Sequence, residues 1–185
     1  MKKIVWEIQY LSLPLILKHC KKCGKKSNFS CSNKFRVNAQ RRSLDIWLIY
    51  NCMVCDTSYN ARVYSHISPQ SINAEQLDGF QKNSYFLVEK YAMDNDFLYR
   101  NGVDEVEVPR YSINGEVFSL NENVQLKIKS KYPFPVKVST LIREKLHLSQ
   151  TAYLHLIENG NIKSIPEQDL KKYKLKNEII LIFRI

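Results

Sequence analysis

Glycine is scarce in this 185-residue chain: there are five, and no two of them fall close enough together to wrap a phosphate group. A glycine-rich nucleotide loop is therefore excluded, because such loops need several positions where bare backbone approaches the phosphates. No run of about 18 apolar residues occurs, so no segment reads as a membrane-spanning helix and no membrane partner is expected. The N-terminus opens Met1-Lys2-Lys3, yet it carries Glu7 and Gln9 inside its apolar stretch and offers no small-residue cleavage site, which speaks against a secretory leader. No Ser, His and Asp combination has a spacing that supports nucleophilic catalysis. Asp94/Asp96 and Asp104/Glu105/Glu107 read as solvated acids of turns and helix ends, so no enzyme is expected.

Cysteine is the informative presence. Cys20/Cys23 and Cys52/Cys55 form two Cys-x-x-Cys pairs, the arrangement by which a chain offers four thiolates to one tetrahedral zinc. Gly24 follows the first pair, where a tight turn aims backbone N–H groups at the sulfurs. A disulfide framework is disfavoured by the odd count of five and the missing leader. A thioredoxin-like site would place one pair at the start of a helix in a βαβ unit, whereas strand patterns flank both pairs here. Catalytic zinc needs an open coordination position, which four cysteines close. His19 adjoins Cys20 as a substitute ligand or a solvated neighbour, and Cys31 reads as a half-buried small apolar residue.

Charge is uneven along the chain. Residues 1–65 hold 12 Lys/Arg against 3 Asp/Glu, residues 66–125 hold 4 against 10, and residues 126–185 hold 12 against 5. Basic ends flank an acidic middle. Such ends favour a polyanion.

Between the cysteine pairs, Phe35, Val37 and Ala39 alternate with polar residues, residues 40–43 make a polar turn, and Leu44, Ile46 and Leu48 alternate again, which predicts a hairpin. Ile4–Leu11 predicts a strand leading into the first knuckle, and Tyr59, Ala61 and Val63 a third ribbon strand. Helices are predicted over 74–82 and 85–93, the latter N-capped by Ser84, with a close at Asn101-Gly102. Strands over 106–113 and 116–120 flank Asn114-Gly115, a strong hairpin signal, and 124–129 alternates as another strand. After Pro133-Phe134-Pro135, Val138, Leu141, Ile142 and Leu146 recur at helical spacing, Ser149 caps a second helix that stops at Asn159-Gly160, and strands follow from Ile162 and over 179–185. The expected fold is α+β in three parts: a zinc-ribbon β-module over 1–65, acidic helices with a hairpin over 66–132, and a small α+β domain over 133–185.

The stretch from Leu148-Ser149 through Gly160-Asn161-Ile162 is similar to the second helix of the alpha-L RNA-binding motif, the module of ribosomal small-subunit protein four, and the resemblance to the whole motif covers about 50 residues. The resemblance implies an RNA-binding C-terminal domain. Lys137 stands where that family opens its first helix with Arg, which keeps the cation but loses the planar fork. Gln150, His155 and Asn161 stand where the family often carries Arg, which removes several phosphate contacts, so the resemblance implies either a weaker RNA affinity or one moved onto Lys163, Lys171, Lys172, Lys174 and Lys176. The chain also resembles a bacterial family, domain of unknown function number 1062, through Cys20-Lys-Lys-Cys23, Phe35 to Ala39, Leu44 to Tyr50 and Cys52-x-x-Cys55. That resemblance implies a bacterial cytoplasmic protein and carries no activity.

The expected function is a zinc-ribbon protein that binds structured RNA, on the ribosome or its precursors, without catalysis. Its metal ligands are Cys20, Cys23, Cys52 and Cys55. Its RNA contacts are Arg36, Arg41, Arg42, Arg62, Lys137, Lys163, Lys171, Lys172 and Lys174, with Trp47 or Tyr64 stacking on unpaired bases from the face that holds Arg36 and Arg62. The alternative is a zinc-stabilised protein-docking module with no nucleic-acid binding.

Overall fold

Apolar residues at alternate positions dominate this chain more than helical spacing does, and two five-stranded sheets result. The computed structural model describes residues 1–40 and 42–185. The fold is α+β, as expected. The chain forms two compact units, the first made of residues 1–11 and 110–185 and the second of residues 12–109. The three consecutive parts expected at 1–65, 66–132 and 133–185 are not what forms: the chain leaves the first unit after one strand and returns 98 residues later.

In the first unit, β1 (Lys2–Tyr10) buries Ile4, Trp6 and Ile8 on one face. It pairs antiparallel with β7 (Tyr111–Asn114) and parallel with β8 (Val124–Ser130). β10 (Glu178–Phe183) pairs with β8, and β9 (Ile162–Ile165) with β10, giving the order β7-β1-β8-β10-β9. Helices α4 (Val138–Leu146) and α5 (Gln150–Glu158) contribute Leu141, Ile142 and Tyr153 to the core beneath that sheet. Ser149 caps α5 by accepting from Ala152 N–H at 3.0 Å, as its position after the first helix predicts.

Two expectations fail here. The strand at the N-terminus does not lead into the cysteine ribbon as a member of it, since all its partners lie at 111–114 and 124–130. The hairpin around Asn114-Gly115 does not form either: β7 ends at Asn114, and residues 116–119 are not a strand. Gly115, at φ +128°, serves a close approach instead of a turn. A Cβ there would lie 2.4 Å from the Val5 carbonyl oxygen and 2.6 Å from Trp6 Cδ1. The next carbonyl, that of Glu116, accepts from the buried Trp6 indole N–H at 2.8 Å.

In the second unit, β2 (Ile16–Cys20), β3 (Lys25–Gln40), β4 (Ser43–Cys52) and β5 (Ser58–Ile67) follow one another as an antiparallel meander, and β6 (Glu105–Val106) pairs with β2 at the far edge. Leu44, Ile46, Leu48 and Tyr50 are fully buried on one face. Against that face pack Phe80 of α1 (Ala74–Gln81), Val88 of α2 (Tyr85–Ala92) and Leu98 of α3 (Asn95–Arg100). The acidic helices thus share one core with the cysteine strands, and no boundary falls at residue 65. Asp94 starts α3 by accepting from Phe97 N–H, so this helix is separate from the one before it. No helix among the described residues is long and apolar enough to cross a membrane.

Candidate metal centre and cationic faces

Each Cys-x-x-Cys pair sits in the turn between two antiparallel strands, the first between β2 and β3 and the second between β4 and β5. Because β3 pairs with β4 at Phe29 and Cys52, both turns emerge at the same end of the sheet. The two knuckles are built alike. Gly24 N–H donates to the Cys20 carbonyl and Asp56 N–H to the Cys52 carbonyl, both at 2.9 Å, and these donors hold φ of +66° and +60°. Glycine takes this conformation freely; at the second knuckle an Asp does so, the next most tolerant kind of residue.

All four Sγ atoms lie within 4.8 Å of one another, with Cys20 and Cys55 3.5 Å apart and Cys23 and Cys52 3.9 Å apart. Four sulfurs at about 2.3 Å from a tetrahedral ion stand about 3.8 Å from each other, so this set fits a metal ion. The separations are far too long for a disulfide bond of about 2.05 Å, and all five cysteines are free thiols. Cys55 is drawn down to about 6 by the Thr57 hydroxyl, 3.2 Å from its sulfur, and by the Thr57 N–H. Cys52 is also lowered: desolvation opposes this, but the N–H groups of Val54 and Cys55 outweigh it. Cys23 is pushed up to about 12, chiefly because it donates to Cys55. The cluster therefore holds protons that a divalent ion must displace, and acid competes with metal. His19 is exposed and stands outside the cluster.

Cys31 lies on β3 away from the centre. Burial pushes its thiol up to about 11, which leaves a thiolate fraction of about one in ten thousand at pH 7. In the metal-loaded protein at neutral pH, iodoacetamide should leave Cys31 unmodified over the time that alkylates a free thiol. The rate should rise about tenfold per pH unit toward 11, because the reactive thiolate accumulates as pH rises. Mass spectrometry showing rapid single alkylation at pH 7 contradicts this.

The expected RNA contacts divide between the units. On the outer face of the second unit's sheet, Arg36 of β3, Trp47 of β4 and Arg62 of β5 are direct cross-strand partners in one row. The Arg36 guanidinium lies over the Trp47 ring at 5.7 Å, and Trp47 is half-buried, off the core face. Tyr64 does not join them. A bulge at Val63 shifts the register, so Tyr64 pairs with Ile46 and meets Phe80 edge-on on the helix-covered face. Arg42 is exposed in the β3–β4 turn, and Arg41 lies outside the described residues.

In the first unit, Lys137 and Lys174 face each other across an isolated bridge, and Lys163 and Lys172 are exposed. Lys171 pairs with Glu158 at 3.3 Å. By unit, the first carries 15 Lys/Arg against 8 Asp/Glu, net +7, and the second 13 against 10, net +3. The acidic middle of the sequence neutralises some of the basic N-terminal region within each unit: Glu116 pairs with Lys2 at 2.8 Å and Asp104 with Lys26 at 3.5 Å. Two features were missed from the sequence. Lys21, Lys22 and Lys25 stand exposed on the first knuckle, while Met53 and Val54, 60% and 67% exposed, form the tip of the second. Arg100 ends α3 beside Arg62, a proximity that only the packing of α3 creates.

The model of one family, described as a protein of unknown function (DUF1062), matches residues 37–168, from within β3 to just beyond β9, and so takes in Cys52 and Cys55 and parts of both units. No curated protein and no solved structure matches the chain. With well over half its length matched, including the Arg-flanked Trp47 and the second knuckle, this chain belongs to the DUF1062 family.

Proposed function

We propose that this protein is a non-enzymatic RNA-binding protein whose second unit is held together by zinc on Cys20, Cys23, Cys52 and Cys55. The observation that carries the RNA reading is the Arg36–Trp47–Arg62 row, a ring flanked by two guanidiniums on the uncovered face of a sheet. A base stacks on the indole while the arginines neutralise the phosphates beside it. Support from the first unit comes from its net +7 charge, from Lys137 and Lys174 placed together, and from the similarity of 148–162 to the alpha-L motif. Zinc is the ion of choice because four thiolates in a closed tetrahedral set suit it and leave no position for catalysis. A cytoplasmic, ribosome-associated role accords with this reading.

Affinity for a structured RNA with single-stranded loops should fall steeply with salt. Four phosphates neutralised on a single strand give a log–log slope of about −2.8, a loss of roughly 50-fold between 50 and 200 mM salt. Trp47→Ala should weaken binding by about 1–3 kcal/mol. Filter binding with no retention at low salt ends the RNA reading. Tyr85 and Phe86, 59% and 64% exposed on α2, favour protein docking as the second reading. Partners that survive nuclease in a pull-down, with contacts insensitive to salt, would support that one instead.

A further inference from the structure

Beside the Arg36–Trp47–Arg62 row the second unit carries a cleft of about 650 Å³, the size that small ligands occupy. It runs along the edge strand β5 to the end of α3, and Trp47, Tyr59, Asn60, Arg62, Phe97 and Arg100 line it. No carboxylate lines it. Among the described residues neither the Arg62 nor the Arg100 guanidinium has an acidic partner; Arg100 Nε only donates to the Asp96 carbonyl within its own helix. Lys18 adds a third cation at the rim, over the Tyr59 ring at 4.6 Å and bonded to the Gly102 carbonyl at 2.7 Å. Two unpaired guanidiniums converging on one concavity make an anion site, and planar forks suit a phosphate.

The two walls are locked to each other. Asn101, just after α3, accepts from Arg62 N–H at 2.6 Å through Oδ1, and its Nδ2 donates to the Arg62 carbonyl at 3.2 Å and the Phe97 carbonyl at 3.0 Å. One side-chain amide thereby takes the place of a neighbouring strand at the sheet edge. It fixes the backbone beneath Arg62 against the helix that presents Arg100. The Tyr59 hydroxyl bonds the Asn101 carbonyl on the same seam. A site whose walls are fixed to each other before the ligand arrives loses less entropy on binding.

We propose that this cleft receives one nucleotide, with its phosphate between Arg62 and Arg100 and its base against the Trp47 indole. Asn60 offers an amide to the base edge, and the apolar rings give the base a wall, which a bare phosphate or sugar phosphate would not use. The nucleotide is either free in solution or the phosphorylated end of a strand. In the second case the site deepens the RNA reading above and rests on it.

Trp6 is fully buried, so quenching of indole fluorescence reports on Trp47. Adenosine and uridine 5′-monophosphates should quench it saturably in the intact protein, while adenosine and inorganic phosphate should each bind about tenfold more weakly or less. Arg100→Gln, at an exposed position outside the sheet row, should lower nucleotide affinity about tenfold and leave that for adenosine unchanged. A short oligoribonucleotide with a 5′-phosphate that competes better than its 5′-hydroxyl twin assigns the site to strand ends; equal competition, with free nucleotide binding retained, assigns it to the free nucleotide. No quenching by either nucleotide at about 5 mM, or an Arg100→Gln variant that binds like the parent, overturns the proposal. Oligonucleotides retained on filters despite that result would leave the RNA reading standing. Nucleotide binding without any oligonucleotide retention would do the reverse.

Discussion

Removing the metal with a strong chelator should unfold the cysteine end of the second unit, and with it most of that unit's sheet. Cys20 and Cys52 are core residues there, 1% and 2% exposed, and they sit at the ends of β2 and β4, next to Phe29 and Tyr59. Without the ion, four sulfurs within 4.8 Å of one another keep only weak sulfur hydrogen bonds, and two strand-connecting turns lose their anchor. Binding free energies of structural zinc are about 10–16 kcal/mol in small modules, against total domain stabilities of about 5–15 kcal/mol. The second unit has helices and a larger core to lean on, so partial order in α1 and α2 is the expected residue. The first unit holds none of the four ligands. Amide exchange should therefore show loss of protection across β2 to β5 and retention across β1, β8 and β10. Metal analysis should find one ion per chain. Cys52→Ser should reproduce the loss, and re-addition of zinc should reverse the chelated state but not that variant. Uniform protection before and after chelation, in protein shown to be metal-free, contradicts the assignment.

Gly115→Ala should be the most damaging single methyl in the first unit. The added Cβ would fall 2.4 Å from the Val5 carbonyl oxygen and 2.6 Å from Trp6 Cδ1. Both are parts of β1, the strand that joins β7 to β8, so neither can withdraw without breaking pairing. The residue also sits at φ +128°, where an L side chain is strained wherever there is room. Conformational strain of about 1–3 kcal/mol and overpacking of a similar size add to about 3 kcal/mol or more. Trp6, fully buried and bonded to the next carbonyl, is the built-in reporter. Thermal or denaturant unfolding followed by indole fluorescence should show the shift, whereas Gly24→Ala, with nothing within 4 Å of its Cβ, should cost only its φ. An unchanged midpoint for Gly115→Ala would show that β7 does not lie against β1 in this register.

Much of the local structure could be read along the chain. The alternation at 35–48 became β3 and β4, the helical spacing at 138–146 became α4, and Ser149 capped α5. These elements bury one face in the period that their own residues display, so the pattern and the outcome have the same cause. The cysteine set was legible for a similar reason: two pairs at turn spacing between strands come within 4.8 Å of one another once those strands are neighbours.

The misreadings all involve partners distant in sequence. Ile4, Trp6 and Ile8 announce a strand, but nothing in their spacing says that its neighbours begin at 111 and 124 rather than at 16. Asn114-Gly115 carries a turn signal that is real in isolation, yet there the glycine was needed for backbone contact with β1. At Val63 one extra residue turned Tyr64 away from Arg62, and a bulge leaves no mark in the alternation before or after it.

By itself the sequence determined that this protein is an α+β chain with a four-cysteine cluster and basic surfaces, because side-chain period, ligand chemistry and charge are local or additive properties. Only the tertiary structure decided that one unit is interrupted by the other in sequence, that Arg36, Trp47 and Arg62 form a row, and that Arg100 joins Arg62 over a single cleft. Those are long-range pairings, and their selection depends on which surfaces bury one another, a contest among many segments that no single segment encodes.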